Sequence, residues 1–263
     1  MKKMIALMLS VVVGLTVVGC GNEGESKSKE EKFTIGFDAS FPPYGYKDEK
    51  TGEYVGFDLD LAQEVADRNG WELVKTPIDW DAKDMELKSG AIDCIWNGFT
   101  INGREDDYTW SDPYVDNSQV VVVLANSGIT SLADLADKNV IVQADSSALH
   151  ALEGEDLATL KDSFKELIIV PEYNSAFLSL EAGAADAVAL DVGVAEFQLE
   201  SRETEFVILD ESIASEKYGI GFALGNKERR DEVQKTLNEM VEDGKFMEIA
   251  KKWGTDSAVC LGK

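Results

Sequence analysis

The chain has 263 residues, with 25 basic and 50 acidic side chains and a net charge of −25. That balance excludes a nucleic-acid partner, because phosphates call for a positive footprint. Three cysteines and one histidine, His150, show no metal-ligand spacing, so neither a metal nor another cofactor is expected.

Lys2 and Lys3 precede an apolar run from Met4 to Val18, too short and wrongly flanked for a stable membrane span. It reads as a secretory signal ending Val17-Val18-Gly19-Cys20. Small residues before a Cys resemble a bacterial lipobox, which makes Cys20 the lipidation site and 1–20 the signal peptide. Residues 21–32 are rich in Ser, Lys, Glu and Gly, almost without apolar side chains, and read as a flexible tether. Short apolar runs then alternate with helical patterns. Phe33 to Phe37 reads as a strand and Asp58 to Arg68 as a helix ended by Gly70. Asp81 to Ser89 reads as a helix stopped by Gly90, followed by a strand from Ala91 to Trp96 and a turn. Val120 to Leu124 looks like a strand buried on both faces. A second series follows: a short helix at Ser131 to Ala136, a strand at Val140 to Gln143 and a helix opening at Ser147. Strands at Leu167 to Val170 and Ala187 to Leu190 alternate with helices at Ser175 to Ala182 and Val192 to Glu200. Tyr218 to Leu224 returns as a strand, and two amphipathic helices, Glu228 to Glu242 and Phe246 to Trp253, end the pattern. Strand–helix alternation of this kind means α/β architecture with mostly parallel sheets. With Cys20 set aside, Cys94 and Cys260 are open to either reading, a bridge or two inert thiols.

The most informative stretch is Asp93-Cys-Ile-Trp-Asn-Gly-Phe-Thr-Ile-Asn-Gly-Arg104, followed by Trp110-Ser-Asp-Pro-Tyr114. A turn that offers backbone N–H groups, a Thr hydroxyl and a planar guanidinium suits a carboxylate. From about Phe33 to Trp253 the chain resembles the bacterial extracellular solute-binding proteins of polar amino-acid ABC importers. The resemblance implies an α/β, two-lobed periplasmic-binding-protein-like fold (type II), each lobe a mostly parallel sheet flanked by helices, with a two-strand hinge. It puts lobe 1 at 33–118 and 217–263 and lobe 2 at 119–216, with crossings near Asn117 to Val120 and Ser215 to Gly219. It also implies that Gly98, Thr100 and Arg104 hold a ligand α-carboxylate. Asp191, in Ala187-Val-Ala-Leu-Asp191, matches the family's ammonium-binding position. Phe41 and Trp80 match two aromatic rings that sandwich the ligand stem, and Asp38 matches a contact to the distal polar group. Ser146 and Ser147 open a helix where N–H groups point outward, which serves equally as an N-cap and as an anion site. Asn97, Trp96, Gln143 and Leu190 are expected to tune the pocket.

Arg104 answers a carboxylate, Asp191 an ammonium, and Asp38 is a surplus negative charge near the side-chain end. Acidic side chains are therefore disfavoured against glutamine, lysine, arginine, histidine or cystine. The expected protein is a monomeric, non-catalytic receptor, lipid-anchored on the extracellular face of the cell membrane, that serves an ABC permease and ATPase. An enzyme on the same scaffold, an arogenate or prephenate dehydratase, is the alternative. It needs a placed acid such as Asp38 or Glu172, and no nucleophile–base pairing is visible. A receptor's sensing domain would need a further membrane span or signalling domain.

Overall fold

The computed structural model describes residues 31–202 and 204–263. The expected signal peptide, Cys20 and most of the tether lie outside the described residues.

The first parallel unit is β1 (Glu31–Phe37), which leads into three short strands, β2 (Ser40–Phe41), β3 (Gly45–Lys47) and β4 (Tyr54–Val55), that form a small antiparallel sheet of their own. Helix α1 (Phe57–Asn69) follows, and Gly70 ends it in the left-handed conformation. Then come β5 (Trp71–Pro77), α2 (Lys83–Ser89), β6 (Cys94–Thr100), β7 (Thr109–Trp110) and the long β8 (Val115–Leu124). The second unit contains β9 (Asn139–Gln143), α3 (Ser147–Glu153), α4 (Ala158–Ser163), β10 (Glu166–Val170), α5 (Tyr173–Glu181), β11 (Ala187–Asp191), α6 (Val192–Ser201) and β12 (Phe206–Ile208). The chain closes with β13 (Ala214–Phe222), α7 (Lys227–Glu242) and α8 (Lys245–Lys252).

One curled sheet runs β10-β9-β11-β8-β13-β6-β1-β5. At one end β5, β1 and β6 are parallel, and at the other β10, β9 and β11 are parallel. The long antiparallel strands β8 and β13 join the two ends, pairing from Ala214 with Gln119 to Tyr218 with Val115. These are the two lobes and the two-strand hinge. Helices α7 and α8 pack on α1.

The Val run of β8 is buried on both faces. Val120 and Val122 join the large core that also holds Phe33, Phe57 and Phe177, whereas Val121 and Val123 join a second core with Val140, Val142 and Leu149. Period-two alternation into two cores explains why no polar residue interrupts the run.

Several boundaries differ from the sequence reading, among them β8, which begins at Val115, and β13, which begins at Ala214, and two of the differences lie at the site. The strand expected to stop at Trp96 continues as β6 through Gly98 to Thr100, because Gly98 takes a positive φ of 55° without leaving the sheet. A Cβ there would sit 2.9 Å from the Phe41 ring and 3.0 Å from the Tyr218 ring, so the position has no room for a side chain. The helix expected from Asp81 begins as a 3-10 turn, Trp80–Ala82, before α2.

Candidate functional site

The loops leaving β1, β6, β9 and β11 converge between the lobes, at the strand ends where α/β sheets bind ligands. Asp38 follows β1 and Phe41 lies on β2. Trp80 follows β5, and Asn97, Gly98 and Thr100 end β6, with Arg104 in the next turn. From the second lobe, Ser146 and Ser147 open α3, and Asp191 ends β11. Nine of these ten residues line one cavity between the lobes. Asp38 instead walls an adjoining pocket of about 420 Å³ that shares Trp80 with the cavity. The cavity itself measures about 20 Å³, room for about one water. The cleft is shut by bonds that cross it. Gln143 Nε2 donates to Asp38 Oδ2 at 2.6 Å, and the buried Lys83 ammonium pairs with Asp145.

At the basic end, Arg104 is loosely held. Its Nη1 donates to the Thr100 carbonyl at 3.3 Å and its Nη2 to the Asp145 carbonyl at 3.4 Å, both long for such bonds. The guanidinium lies 5.4 Å from the Phe99 ring centre. Five N–H groups serve two weak contacts, so donors remain for an anion. The backbone contributes less than the sequence suggested. The Gly98 N–H donates to Asp58 Oδ2 at 2.6 Å and so is not a free donor. Tyr114 also donates to Asp58, and full burial pushes this acid up to about 7. Ser146 is the N-cap of α3, accepting from the Leu149 N–H at 3.1 Å.

At the acidic end, Asp191 is tightly held. Its Oδ1 accepts from Tyr218 at 2.5 Å, Gln119 at 2.7 Å and Asn117 at 2.8 Å. It precedes α6 but makes no side-chain capping bond there. Its second oxygen receives no hydrogen bond among the described residues. Burial first, and then the charge of Glu216, raise the Asp191 acid to about 7. Its three hydrogen bonds pull the other way.

Sequence reasoning missed Glu216 of β13. Its Oε1 accepts from Thr100, Asn117 and Gln119, and its Oε2 from Ser147. A Glu between Ser215 and Lys217 looks like a solvated strand residue. Only the pairing of β13 with β8 turns it inward, where 6% of it is exposed. Phe99 was also missed and lines the cavity with Phe41 and Trp80. Trp80 stands edge-on to Phe99, 5.5 Å between ring centres, and stays half-exposed at the cleft. Of the expected tuning residues, Gln143 lines the cavity. Trp96 and Leu190 are fully buried core residues and do not line it. Asn97 accepts from the Asp38 N–H at 2.9 Å, and its own amide nitrogen has no partner among the described residues. Glu172, the other acid considered for catalysis, caps α5 through the N–H groups of Asn174 and Ser175. Among the described residues Cys94 and Cys260 are both free, with Cys94 buried. Among the described residues no cluster of three or more His, Cys, Asp or Glu could hold a metal, and no helix is long and apolar enough to cross a membrane.

Comparison with known proteins agrees with this architecture. The arginine-binding extracellular protein ArtP of Bacillus subtilis (strain 168) is 28% identical over 97% of this chain and 99% of its own length. A histidine-bound substrate-binding protein of an ABC uptake transporter from Streptococcus pneumoniae superposes with a TM-score of 0.82. It is 33% identical and covers 86% of this chain and 94% of its own. The ancestral amino-acid-binding protein AncCDT-1, a precursor of cyclohexadienyl dehydratase, reaches 0.76 at 28% identity, covering 84% of this chain and 95% of its own. Residues 33–256 match a single family description, and the chain belongs to the bacterial extracellular solute-binding proteins, family 3.

Proposed function

We propose that this protein captures a polar amino acid between its lobes and delivers it to the permease of an ABC importer. One observation carries the reading. A guanidinium with spare donors and a carboxylate with a spare oxygen line the same interlobe cavity, one contributed by each lobe. A zwitterion answers both groups at once. On this reading Arg104 takes the α-carboxylate, Asp191 takes the ammonium, and Phe41 and Trp80 flank the stem. Asp38 and the adjoining pocket receive the side-chain end. Lobe 1 comprises 33–118 and 217–263, lobe 2 comprises 119–216, and closure turns on β8 and β13. Cys20 carries the lipid that holds a monomeric receptor on the outer face of the membrane.

The side-chain class follows from charge. The pocket beyond Trp80 is walled by Asp38, Asp79, Glu86 and Glu172, with no Lys or Arg among its lining residues. Such a wall favours a cation and repels a carboxylate. Arginine, lysine and histidine should therefore lead glutamine. Cystine, whose far end carries a second carboxylate, should follow them. The dehydratase alternative is weaker, because Asp38 is tied to Gln143 and Ser40 and Glu172 is spent on a helix cap.

A thermal-shift panel of the twenty amino acids and cystine tests the proposal, since a ligand that binds only the folded state raises Tm by mass action. A basic amino acid should give the largest rise, and aspartate and glutamate none. A panel without any shift, or one led by an acidic amino acid, would overturn it.

A further inference from the structure

Glu216 sits at the centre of the closed cleft, on the hinge strand β13, and has no role in the scheme above. It touches both lobes. The Thr100 hydroxyl, at the end of β6, donates to Oε1 at 2.8 Å. The Ser147 hydroxyl, at the start of α3, donates to Oε2 at 2.5 Å. The amides of Asn117 and Gln119, both on β8, donate to Oε1 at 2.6 Å each, and each also donates to Asp191 Oδ1. Two buried carboxylates thus share two amide donors.

A hydroxyl has one proton and two lone pairs. Thr100 and Ser147 both spend that proton on Glu216, yet both line the ligand cavity. What they can offer a ligand is lone pairs. A ligand carboxylate could take either proton only by stripping a buried acid of a donor beside a second buried acid, the costliest place to do so. A ligand ammonium has three N–H groups and no lone pair, so it meets the two hydroxyls and the spare oxygen of Asp191 as acceptors. The Thr100 hydroxyl then belongs to the ammonium end of the site, and Arg104 serves the carboxylate.

We propose that Glu216 is a positioning residue that takes the Thr100 and Ser147 hydroxyl protons and so turns both hydroxyls into acceptors for the ligand's α-ammonium. The inference rests on the amino-acid reading above and adds a determinant to it. A glutamine in place of Glu216 keeps the shape. Its amide nitrogen would donate to a hydroxyl instead of accepting from it, and the acceptor set would be scrambled.

The test is calorimetry on wild type, Glu216→Gln and Thr100→Val with arginine, lysine and glutamine, each beside the same molecule lacking its α-amine. Glu216→Gln should weaken the best-binding amino acid by about tenfold or more, the scale of a lost charge-linked hydrogen bond, and its deaminated counterpart by less than about twofold. Thr100→Val, which keeps the volume and removes the lone pairs, should show the same split. Equal losses for both members of a pair, or no loss for the amino acid, would overturn the role of Glu216. If wild type binds none of the three amino acids, the amino-acid reading fails and the hydroxyl assignment with it. A carboxyl NMR titration of the unliganded protein separates the two failures. Asp191 should titrate lower in Glu216→Gln than in wild type whether or not any amino acid binds.

Discussion

The two ends of the interlobe cavity are built to different tolerances. The acidic end is fixed before any ligand arrives: Asp191 has three donors on one oxygen, two of them shared with Glu216. The basic end is loose, with Arg104 held by two long contacts to carbonyl oxygens and an aromatic face. The difference teaches where binding energy is prepared. Two buried carboxylates side by side are a standing electrostatic cost that, on the proposed reading, an incoming ammonium removes. On the proposed reading, the guanidinium instead completes its hydrogen bonds only when a carboxylate arrives.

Removing one charge from each end gives the largest effects and separates the ends. Arg104→Ala and Asp191→Asn should each weaken every amino-acid ligand, by about 2–5 kcal/mol, because one charge of the ligand is then buried without its partner. Their stabilities without ligand should diverge. Arg104→Ala should leave Tm nearly unchanged, within the range of an ordinary surface substitution. Asp191→Asn should raise Tm near pH 8, where it removes one of two like charges in the buried pair. Calorimetry and thermal melts on both variants check this. A large loss of Tm in Arg104→Ala would mean that the basic end is not loose.

A smaller effect should appear with pH. The Asp191 acid stands at about 7, well above its ordinary 3.8, through burial and the neighbouring Glu216. Between about pH 4 and pH 7 the folded chain holds a proton that the unfolded chain has lost. The unliganded protein should therefore lose stability as pH rises through that window. Asp58, buried and also near 7, adds in the same direction. An ammonium favours the ionised carboxylate, so binding releases the Asp191 proton. Affinity should rise by up to about tenfold per unit as pH approaches 7 and level off above it. Calorimetry in buffers of different ionisation enthalpy would count the released protons. No proton release at pH 6 would contradict the acid pair.

Smallest is the effect expected at the side-chain end. Asp38→Asn should alter the preference for arginine over glutamine by about 1 kcal/mol, while both still bind, since on the proposed reading Asp38 faces only the variable part of the ligand. Competition between the two ligands measures it. An equal loss for both would move Asp38 to the shared end of the site.

Much of this comparison was legible in the sequence, for physical reasons that differ by region. The Val run of β8 reveals a strand because both of its faces are dry. Arg104 was readable from the short Gly-Thr-Arg stretch, but the spending of the Gly98 N–H on Asp58 and of the Thr100 hydroxyl on Glu216 was not. Asp191 was singled out by the family resemblance, at the end of an apolar strand. Elements with mixed exposure were not legible. The strand β5, at the edge of the sheet, mixes Glu72 and Lys75 with half-buried neighbours and lacks a clean period. The short strands β2, β3 and β4 owe their form to one another and not to local pattern. Glu216 was illegible for a deeper reason. Its partners Thr100, Asn117, Gln119 and Ser147 are 69 to 116 positions away, and only the register of β13 on β8 brings them together.

The central claim is that a zwitterion is gripped at both ends, and ligand truncation on the unaltered protein tests it most directly. The basic amino acid with the largest thermal shift would be compared by calorimetry with two analogues, one lacking only the α-carboxylate and one lacking only the α-amine. Each deletion leaves one buried protein charge without its partner, so each should cost about 2 kcal/mol or more, at least about thirtyfold in Kd. An analogue that binds as tightly as the parent amino acid would contradict the account at the end it lacks.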